Sequence, residues 1–363
     1  MPFEIKRRKT RQIKVGDVKV GGDAPIAVQS MTNTMTQDVQ ATVSQIKRLE
    51  AAGCEIVRVA VPDEAAAEAI EPIKEQISVP VIADIHFDHR LAIASVRAGV
   101  DGLRINPGNI GSRKNIKAVV DCAVDRGIPI RIGINSGSLE KDLLKKYNGV
   151  TAEGMVESAL RHIDLMRTFK FDQLKVSIKA SDVKRTVEAY RLLSERCDLP
   201  LHVGVTEAGG LYSGIVKSSL GIGMLLAEGI GDTIRVSLTR DPVEEVRVGY
   251  DILKGLDIRR HGPEIISCPT CGRCNIELFD IAEKVEKAIL LKSAPVKLAI
   301  MGCVVNGPGE AREADIGIAG GDGVGILFKK GEVVKKFPEE QLVDVLLEEV
   351  GKYEKEWASK KKD

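Results

Sequence analysis

Four cysteines in the last third of the chain have the spacing of a metal site. Cys268, Cys271 and Cys274 form a C-x2-C-x2-C run. Cys303 follows in the segment MGCVVNGPGEA. One loop with this spacing can supply two or three thiolates to an iron–sulfur cluster. Zinc held by four cysteines and a redox-active C-x-x-C pair are the alternatives, and the spacing alone favours a cluster over zinc.

The number of cysteines also indicates the kind of protein. There are seven, and Cys54, Cys122 and Cys197 are scattered through the chain, where we expect small core or surface residues. An odd number of cysteines, in a sequence whose start lacks an apolar run of signal-peptide length, argues against a disulfide framework. We therefore expect a cytoplasmic protein.

Charge and hydropathy argue against two classes of partner. The 53 basic and 52 acidic residues give a net charge of +1, which does not indicate a nucleic-acid or membrane surface. No stretch of the sequence reaches the roughly 18 apolar residues of a membrane-spanning helix. We expect neither a nucleic-acid partner nor a membrane.

The first two thirds of the chain contain eight short apolar strands that alternate with amphipathic helices. The predicted strands are IAVQSMT (from Ile26), EIVRVAV (from Glu55), PVIADIHF (from Pro80), GLRINPG (from Gly102), IPIRIGIN (from Ile128), LKVSIKAS (from Leu174), LHVGVTE (from Leu201) and TIRVSL (from Thr233). Eight β–α units over about 230 residues are typical of a (β/α)8 TIM barrel, an α/β fold. A doubly wound sheet is the main alternative, but its Gly-rich dinucleotide loop is absent after the first strand.

One face of these strands is unusually polar. Successive side chains alternate between the two faces of a strand, and the face that meets the helices must be apolar. The polar face therefore points into the barrel lumen. It carries Arg58, Asp84, His86, Arg104, Asn106, Arg131, Asn135, Lys175, Ser177, Lys179, Arg235 and Ser237.

Converging cations in a lumen require a partner, because buried like charges are costly. Pairing with Glu55, Asp84 and Glu207 in a purely structural network is one possibility. The basic positions outnumber these three, so we predict an anion in the lumen. Phosphate or diphosphate fits best, because arginine forks match its oxygens. The active site is expected at the carboxyl ends of the strands.

The pattern changes after the helix near Val243–Leu253. The run GLDIRRHGPE is predicted to be a linker. The cysteine motif then precedes a helix, three strand-like segments and a final helix. We predict a substrate-binding barrel domain over residues 1–258 and a smaller α+β cluster domain over residues 264–358.

Eight motifs together resemble one known family. They are VQSMTNT (from Val28), ADIHFD (from Ala83), LRINPGN (from Leu103), IGINSGS (from Ile132), VSIKASD (from Val176), GVTEAG (from Gly204), SCPTCGR (from Ser267) and MGCVVNGPGEA (from Met301). They span nearly the whole chain. The chain is similar to the compact, two-domain form of the bacterial 4-hydroxy-3-methylbut-2-enyl diphosphate synthases of the non-mevalonate isoprenoid pathway.

The resemblance implies a reaction and a cofactor. In this family, 2-C-methyl-D-erythritol 2,4-cyclodiphosphate is reductively opened and dehydroxylated to (E)-4-hydroxy-3-methylbut-2-enyl diphosphate and water. Two electrons pass through a [4Fe–4S] cluster held by three cysteines and one glutamate. The matching ligands are Cys268, Cys271, Cys303 and Glu310. Here the resemblance and the spacing disagree, because spacing would make Cys274 a ligand; we favour Glu310.

The resemblance also implies site residues and partners. Glu207 would act as acid or base beside the substrate carbons, and Glu310 on the cluster is the second catalytic carboxylate. Reduced flavodoxin or ferredoxin would donate electrons. A homodimer would place the cluster domain of one subunit over the barrel of the other. The expected substrate-binding residues are Arg58, His86, Arg104, Arg131, Asn135, Lys179, Arg235 and Ser237.

Two hypotheses from other classes stand beside this one. A zinc-containing barrel lyase or aldolase acting on a phosphosugar would use Lys179 as a Schiff-base lysine. A cluster-based redox sensor would not need a polar lumen and would usually carry a DNA-binding element, which the sequence lacks.

Overall fold

A computed structural model describes residues 4–274, 276–290, 292–303, 309 and 311–360. The chain divides after Arg259 into two compact units. Among the described residues, no helix combines the length and the hydropathy that crossing a membrane requires.

The first unit is a parallel β-barrel surrounded by helices. Its strands are β1 (Ile13–Val15), β2 (Val18–Val20), β3 (Ala27–Met31), β4 (Ile56–Ala60), β5 (Val81–Asp84), β6 (Gly102–Ile105), β7 (Ile130–Asn135), β8 (Leu174–Lys179), β9 (His202–Val203) and β10 (Thr233–Ile234). Strands β3 to β10 lie in the order β8-β7-β6-β5-β4-β3-β10-β9. A parallel bridge between Val176 and Leu201 joins the two ends of this order. The predicted TIM barrel is confirmed.

The helices of this unit follow the strands. They are α1 (Val39–Ala51), α2 (Glu64–Glu68), α3 (Ile70–Lys74), α4 (His89–Arg97), α5 (Pro107–Ile110), α6 (Arg113–Arg126), α7 (Lys141–Lys146), α8 (Ala152–Thr168), α9 (Val183–Ser194), α10 (Leu211–Ala227) and α11 (Pro242–Gly255), with a 3-10 turn at Ser136–Ser138. Short polar side chains cap many of them. Asp38, Asp182 and Asp241 each accept a hydrogen bond from a backbone N–H in the first turn of α1, α9 and α11. Such caps satisfy N–H groups that a helix start leaves without a partner.

Alternation along β7 shows how the sequence divides the two faces of the barrel wall. Ile130, Ile132 and Ile134 are buried in the core that the strands share with the helices. Arg131 stands between them on the opposite face and pairs in register with Arg104 of β6 and Lys175 of β8. Paired residues of parallel strands point to the same side. The polar face therefore lines the lumen.

An N-terminal hairpin, which sequence reasoning did not predict, lies against the amino ends of the barrel strands. Ile13 and Val15 of the hairpin pack with Ala27, Ile56 and Ile82, the first inward-facing residues of β3, β4 and β5. The lumen is thus apolar at its amino end and becomes polar toward the carboxyl ends of the strands.

Two predicted strands are shorter than expected. The segments from Leu201 and Thr233 form only the two-residue strands β9 and β10. Beyond β10, the N–H of Leu238 donates to the carboxylate of Glu245 at 3.0 Å. The chain there bonds to a helix side chain instead of a neighbouring strand, so the segment that carries Ser237 is a loop.

The second unit has a five-stranded mixed sheet and two α-helices in its described part. The strands are β11 (Glu264–Ser267), β12 (Lys297–Met301), β13 (Ile316–Gly321), β14 (Val324–Lys329) and β15 (Glu332–Pro338); the helices are α12 (Leu278–Ala288) and α13 (Leu342–Lys360), and 3-10 turns lie at Ala311–Glu313 and Glu339–Gln341. Strands β11, β12 and β13 are parallel to one another, and β14 pairs antiparallel with both β13 and β15. The sequence missed β11, which lies partly in the predicted linker, and β15, whose side chains are mostly exposed.

The order of this sheet brings the cysteine segments together. Cys268 follows β11 directly, and Cys303 comes two residues after β12. Strands β11 and β12 are parallel neighbours, with Ser267 in register with Ile300. Because parallel neighbours end at the same edge of a sheet, the two loops start side by side.

Candidate active site

Six basic side chains from five strands converge in the barrel lumen. They are Arg58 (β4), Arg104 (β6), Arg131 (β7), Lys175 and Lys179 (β8) and Arg235, which directly follows β10. Electrostatic coupling links them: Lys179 is influenced by Arg131, Arg235 and Arg58, in that order. The structure therefore brings together five of the predicted substrate-binding residues, and adds Lys175.

One buried carboxylate lies among these cations. Asp84 of β5 accepts a hydrogen bond from Nη1 of Arg104 at 3.1 Å, and its Oδ2 lies 3.5 Å from Nε of Arg58. Burial opposes its ionisation, but the arginines Arg58, Arg104 and Arg131 outweigh burial and lower the pKa of Asp84 to about 2. Asp84 is therefore a fixed negative charge at neutral pH, and Arg58 and Arg104 share this single charge.

A second carboxylate reaches the lumen from a helix. Glu245 of α11 accepts from Nη2 of Arg235 at 3.0 Å and from the hydroxyl of Ser30 at 2.9 Å. Nη1 of Arg235 donates to Ser237 at 3.2 Å. Glu245 therefore fixes the orientation of Arg235, and Arg235 in turn that of Ser237, both of which are predicted substrate-binding residues. Sequence reasoning missed Glu245, because a buried carboxylate on an amphipathic helix resembles an ordinary surface residue.

The remaining basic groups have no such carboxylate among their hydrogen-bond partners in the described part of the chain. Nε and Nη1 of Arg131 and Nζ of Lys175 are buried and have no hydrogen-bond partner within the described part of the chain. Burial lowers the pKa of Lys179 well below its usual value, and Arg131 adds to the effect. An anion would supply both the missing acceptors and the missing charge. These groups therefore support the predicted anion in the lumen.

One of the three carboxylates considered as structural partners of the lumen cations lies elsewhere. Glu55 was considered as a partner for the lumen cations, but it lies at the amino end of β4 and binds Arg259 at 2.7 Å and 2.8 Å. It also accepts from the N–H of Val28. Glu55 therefore ties the end of the barrel to the segment after α11 and does not neutralise the lumen.

Four predicted residues lie at the carboxyl ends of the strands. Asn135 ends β7, and Ser237 lies in the loop after β10. His86 is more than half exposed, with Nε2 at 3.9 Å from Oδ2 of Asp84. Glu207 is exposed and has a φ of 52°, a left-handed conformation that non-glycine residues seldom adopt and that often marks functional sites. These side chains can contact the exposed part of a ligand whose anionic end lies deeper.

Two further polar residues of the lumen face were missed. Both side-chain polar atoms of Gln29 on β3 are buried without a partner in the described structure. The same is true of Nε2 of His202 on β9. The alternation that identified Arg131 applies to them as well, since Gln29 lies between Val28 and Ser30 and His202 between Leu201 and Val203. The alternation therefore contained both residues, but they carry no fixed charge and so did not stand out among the basic side chains.

The second unit contains a cavity of about 220 Å³ that three cysteines line. Cys268, Cys271 and Cys303 share it with Thr270 and Arg273. All three thiols are free. Hydrogen bonds from the backbone N–H of Arg273 and then from its guanidinium lower the pKa of the Cys271 thiol. A thiolate is the form that ligates metal.

Cys274 is placed differently from the other three. It does not line this cavity. Its thiol donates to the carbonyl of Ile276 at 3.4 Å and packs against the apolar core of the unit. A Cβ added to Gly302 would lie 2.5 Å from its sulfur, so Cys274 lies behind the segment that carries Cys303. This arrangement favours the ligand set without Cys274.

The donor chemistry of this cavity fits an iron–sulfur cluster. Soft thiolates are the ligands that such clusters need, and three of them face one space. Among the described residues, no three His, Cys, Asp or Glu side chains are close enough to hold a single metal ion. The predicted fourth ligand, Glu310, lies outside the described residues.

Comparisons with known proteins match both units. Residues 10–250 match the family model described as the GcpE TIM-barrel domain, and residues 264–352 match the GcpE protein C-terminal domain. A relative from Geobacter sulfurreducens, called 4-hydroxy-3-methylbut-2-en-1-yl diphosphate synthase (flavodoxin), is 61% identical over 95% of this chain and 98% of its own. A relative of the same name from Desulfotalea psychrophila is 58% identical over 98% and 99% of the two chains.

A solved structure shares the barrel fold at low sequence identity. Dihydropteroate synthase from Stenotrophomonas maltophilia is 14% identical, covers 68% of this chain and 97% of its own, and has a TM-score of 0.51. This likeness concerns the fold alone.

The charge excess predicts that a simple polyanion stabilises the protein. Inorganic diphosphate at about 100 times its Kd should stabilise the folded state by about 2.7 kcal/mol. For a domain of this size that corresponds to a rise in Tm of roughly 5–10 °C, measurable by anaerobic scanning fluorimetry.

An arginine variant tests whether the lumen is responsible. Arg131→Ala should lose most of the rise in Tm. Arg191→Ala should keep it, because Arg191 is an exposed residue of α9 that pairs with Glu228 away from the lumen. An equal rise in both variants would place the anion elsewhere.

Proposed function

The chain belongs to the GcpE family, and from this membership we propose that it catalyses the reductive ring opening and dehydroxylation of 2-C-methyl-D-erythritol 2,4-cyclodiphosphate. The products are (E)-4-hydroxy-3-methylbut-2-enyl diphosphate and water, and the reaction is a step of isoprenoid biosynthesis. Residues 1–258 would bind the substrate, and residues 264–358 would carry the redox cofactor. The observation that carries the proposal is the excess of buried basic side chains over carboxylates among the described residues of the lumen.

The diphosphate is bound by the lumen cations. Arg131 has buried N–H groups without a partner among the described residues, and Lys179 ends β8, nearer the mouth than Lys175, so both would contact the phosphate oxygens directly. Arg58 and Arg104 share Asp84, and Arg235 shares Glu245, which holds these forks in fixed orientations. Preorganised arginines lose little entropy on binding a phosphate.

The carbon skeleton then lies toward the mouth of the barrel. Asn135, Ser237 and His86 supply polar contacts there. Glu207 is exposed at the carboxyl end of the seventh barrel strand, where it can deliver or accept a proton at the substrate carbons. A carboxyl that is open to solvent exchanges protons freely with bulk water, so it can be re-protonated in each turnover.

The cofactor is proposed to be a [4Fe–4S] cluster held by Cys268, Cys271, Cys303 and Glu310. When bound, such a cluster supplies electrons one at a time to a reaction that needs two. The three thiols that line one cavity support this ligand set. Arg273 lines the same cavity and offsets part of the negative charge that several thiolates bring together.

The electron donor is proposed to be a reduced flavodoxin, with ferredoxin as the alternative. The names of the two relatives include flavodoxin, and both relatives align with nearly the whole of this chain.

A homodimer is proposed in which the second unit of one subunit covers the barrel mouth of the other. Exposed apolar residues on the loops after β3 and β5 and at the start of α10 support a covering partner. These are Met35, Phe87 and Tyr212, whose exposed fractions are 66%, 71% and 84%. Apolar residues exposed around a binding site are typical of an interface. The short linker predicted near residues 255–264 also limits how far the second unit of the same chain can reach.

Anaerobic turnover tests the proposed function. Protein with its cluster should convert the cyclodiphosphate to a linear diphosphate when a strong one-electron reductant is supplied, as followed by phosphorus NMR. Product should rise in proportion to cluster content across preparations. Fully loaded protein that yields no linear diphosphate would overturn the proposed reaction.

Two serine variants test the cluster ligands. Cys303→Ser should lose the cluster absorbance and at least 100-fold in turnover, because the lost thiolate is a direct ligand. Cys274→Ser, the matched control from the same motif, should keep both. Loss of absorbance in Cys274→Ser would instead favour four cysteine ligands.

Mixing two inactive variants tests the domain arrangement. One variant, Arg131→Ala/Lys179→Met, has a defective barrel, and the other, Cys303→Ser, lacks the cluster. If the cluster unit serves the partner's barrel, each mixed dimer contains one intact site. Random exchange should then restore about a quarter of wild-type turnover. Mixed dimers, verified by mass spectrometry, that stay inactive would show that each cluster serves its own barrel.

A further inference from the structure

Lys175 is a buried lysine that the proposed binding of the diphosphate does not use. On β8 it lies two residues before Ser177, on the same face of the strand and further from the mouth of the barrel. Only 1% of its surface is exposed. Its Nζ makes no hydrogen bond to any described residue. An ammonium group without a partner at such a site is costly, so the neutral amine is favoured.

The groups that face Lys175 come from every neighbouring strand. Arg131 is its register partner on β7, and Arg58 acts on it from β4. Nδ1 of His202 on β9 is hydrogen-bonded to the hydroxyl of Thr233 at 2.8 Å. Lys179 lies on the same strand as Lys175. Asp232, before β10, is the carboxylate among the described residues that influences Lys175, and it already binds Arg7 at 3.1 Å.

The balance of these groups leaves Lys175 poised near neutral pH. Burial and then Arg131 lower the pKa of Lys175 to about 7, and Asp232 offsets only part of the effect. A diphosphate bound to Arg131 would cancel the repulsion from that arginine and add negative charge above the amine. Both changes favour the ammonium form.

We propose that Lys175 is a charge-compensating residue that takes up a proton from solvent when a diphosphate occupies the lumen above it. The inference rests on the proposed function, because it assumes that the diphosphate binds at Arg131. The step is a simple protonation: the neutral amine gains one proton from the buffer and becomes an ammonium ion, and no other bond changes.

The gained charge also suits the proposed reaction. Opening the cyclodiphosphate breaks a carbon–oxygen bond and leaves the oxygen on phosphorus, so the linear diphosphate carries one more anionic oxygen than the ring did. A protonated Lys175 stabilises that added charge. Lys175 is thus a positioning residue that acts on the anion through the lumen field and need not touch it.

Isothermal titration calorimetry can count the protons. The cyclodiphosphate is titrated into anaerobic holoenzyme without a reductant, at pH 8, in buffers of different ionisation enthalpy. At this pH an amine with a pKa of about 7 is about nine-tenths neutral, so wild-type protein should gain close to one proton at Lys175, beyond any taken up at Lys179 or His202.

Three variants assign the proton. Lys175→Met removes the amine, and Lys175→Arg keeps a permanent charge; each should take up about one proton fewer than wild type. Lys114→Met, at an exposed position on α6, should match wild type. If Lys175→Met is unstable, the arginine variant makes the same comparison. Circular dichroism and cluster absorbance establish that each variant is folded and loaded.

The pH dependence of Kd gives an independent readout. Because the bound form carries the extra proton, affinity should fall as pH rises above about 7, by up to tenfold per pH unit for one coupled proton. Lys175→Met should show a slope that is smaller by about one. An unchanged proton count and slope in both variants would overturn the inference alone, whereas no binding by wild-type protein would overturn the proposed function with it.

Discussion

The structure depends on one electrostatic constraint: among the described residues, the barrel lumen holds more buried basic side chains than carboxylates. Six basic side chains face Asp84 and Glu245, and each carboxylate already pairs with particular arginines. Folding can tolerate this excess because the helix-facing side of the wall is almost continuously apolar and the hairpin β1–β2 packs against the amino end. An anion bound in this cavity would relieve the repulsion among the basic side chains and so add to the stability of the barrel.

The same constraint gives the lumen a gradient from its amino to its carboxyl end. Near the hairpin, Ala27, Ile56 and Ile82 are apolar. Cations follow in the middle, and neutral or exposed polar groups such as Asn135 and Glu207 come last. A substrate with an anionic end and a polar carbon skeleton matches this order. Lys175 belongs to the deepest charged layer, which is why its protonation can respond to the anion without contact.

The second unit uses topology instead of charge. Parallel pairing of β11 with β12 starts two loops at one edge of the sheet, and the loops carry cysteines that are more than 30 residues apart in sequence. The pairing also separates the cysteines of the local motif. Cys268 and Cys271 face a cavity with Cys303, whereas Cys274 packs behind Gly302. Close spacing alone cannot make this distinction, because it does not specify which way each side chain points.

The barrel, its eight strands and the basic face of its lumen could be determined from the sequence by itself, because period-two alternation is a local pattern that survives in any register. The same pattern contained Gln29 and His202. What only the tertiary structure decided depends on contacts between distant segments: Glu245 reaching Arg235 from a helix, Glu55 pairing with Arg259 away from the lumen, the hairpin at the amino end, and the orientation of Cys274.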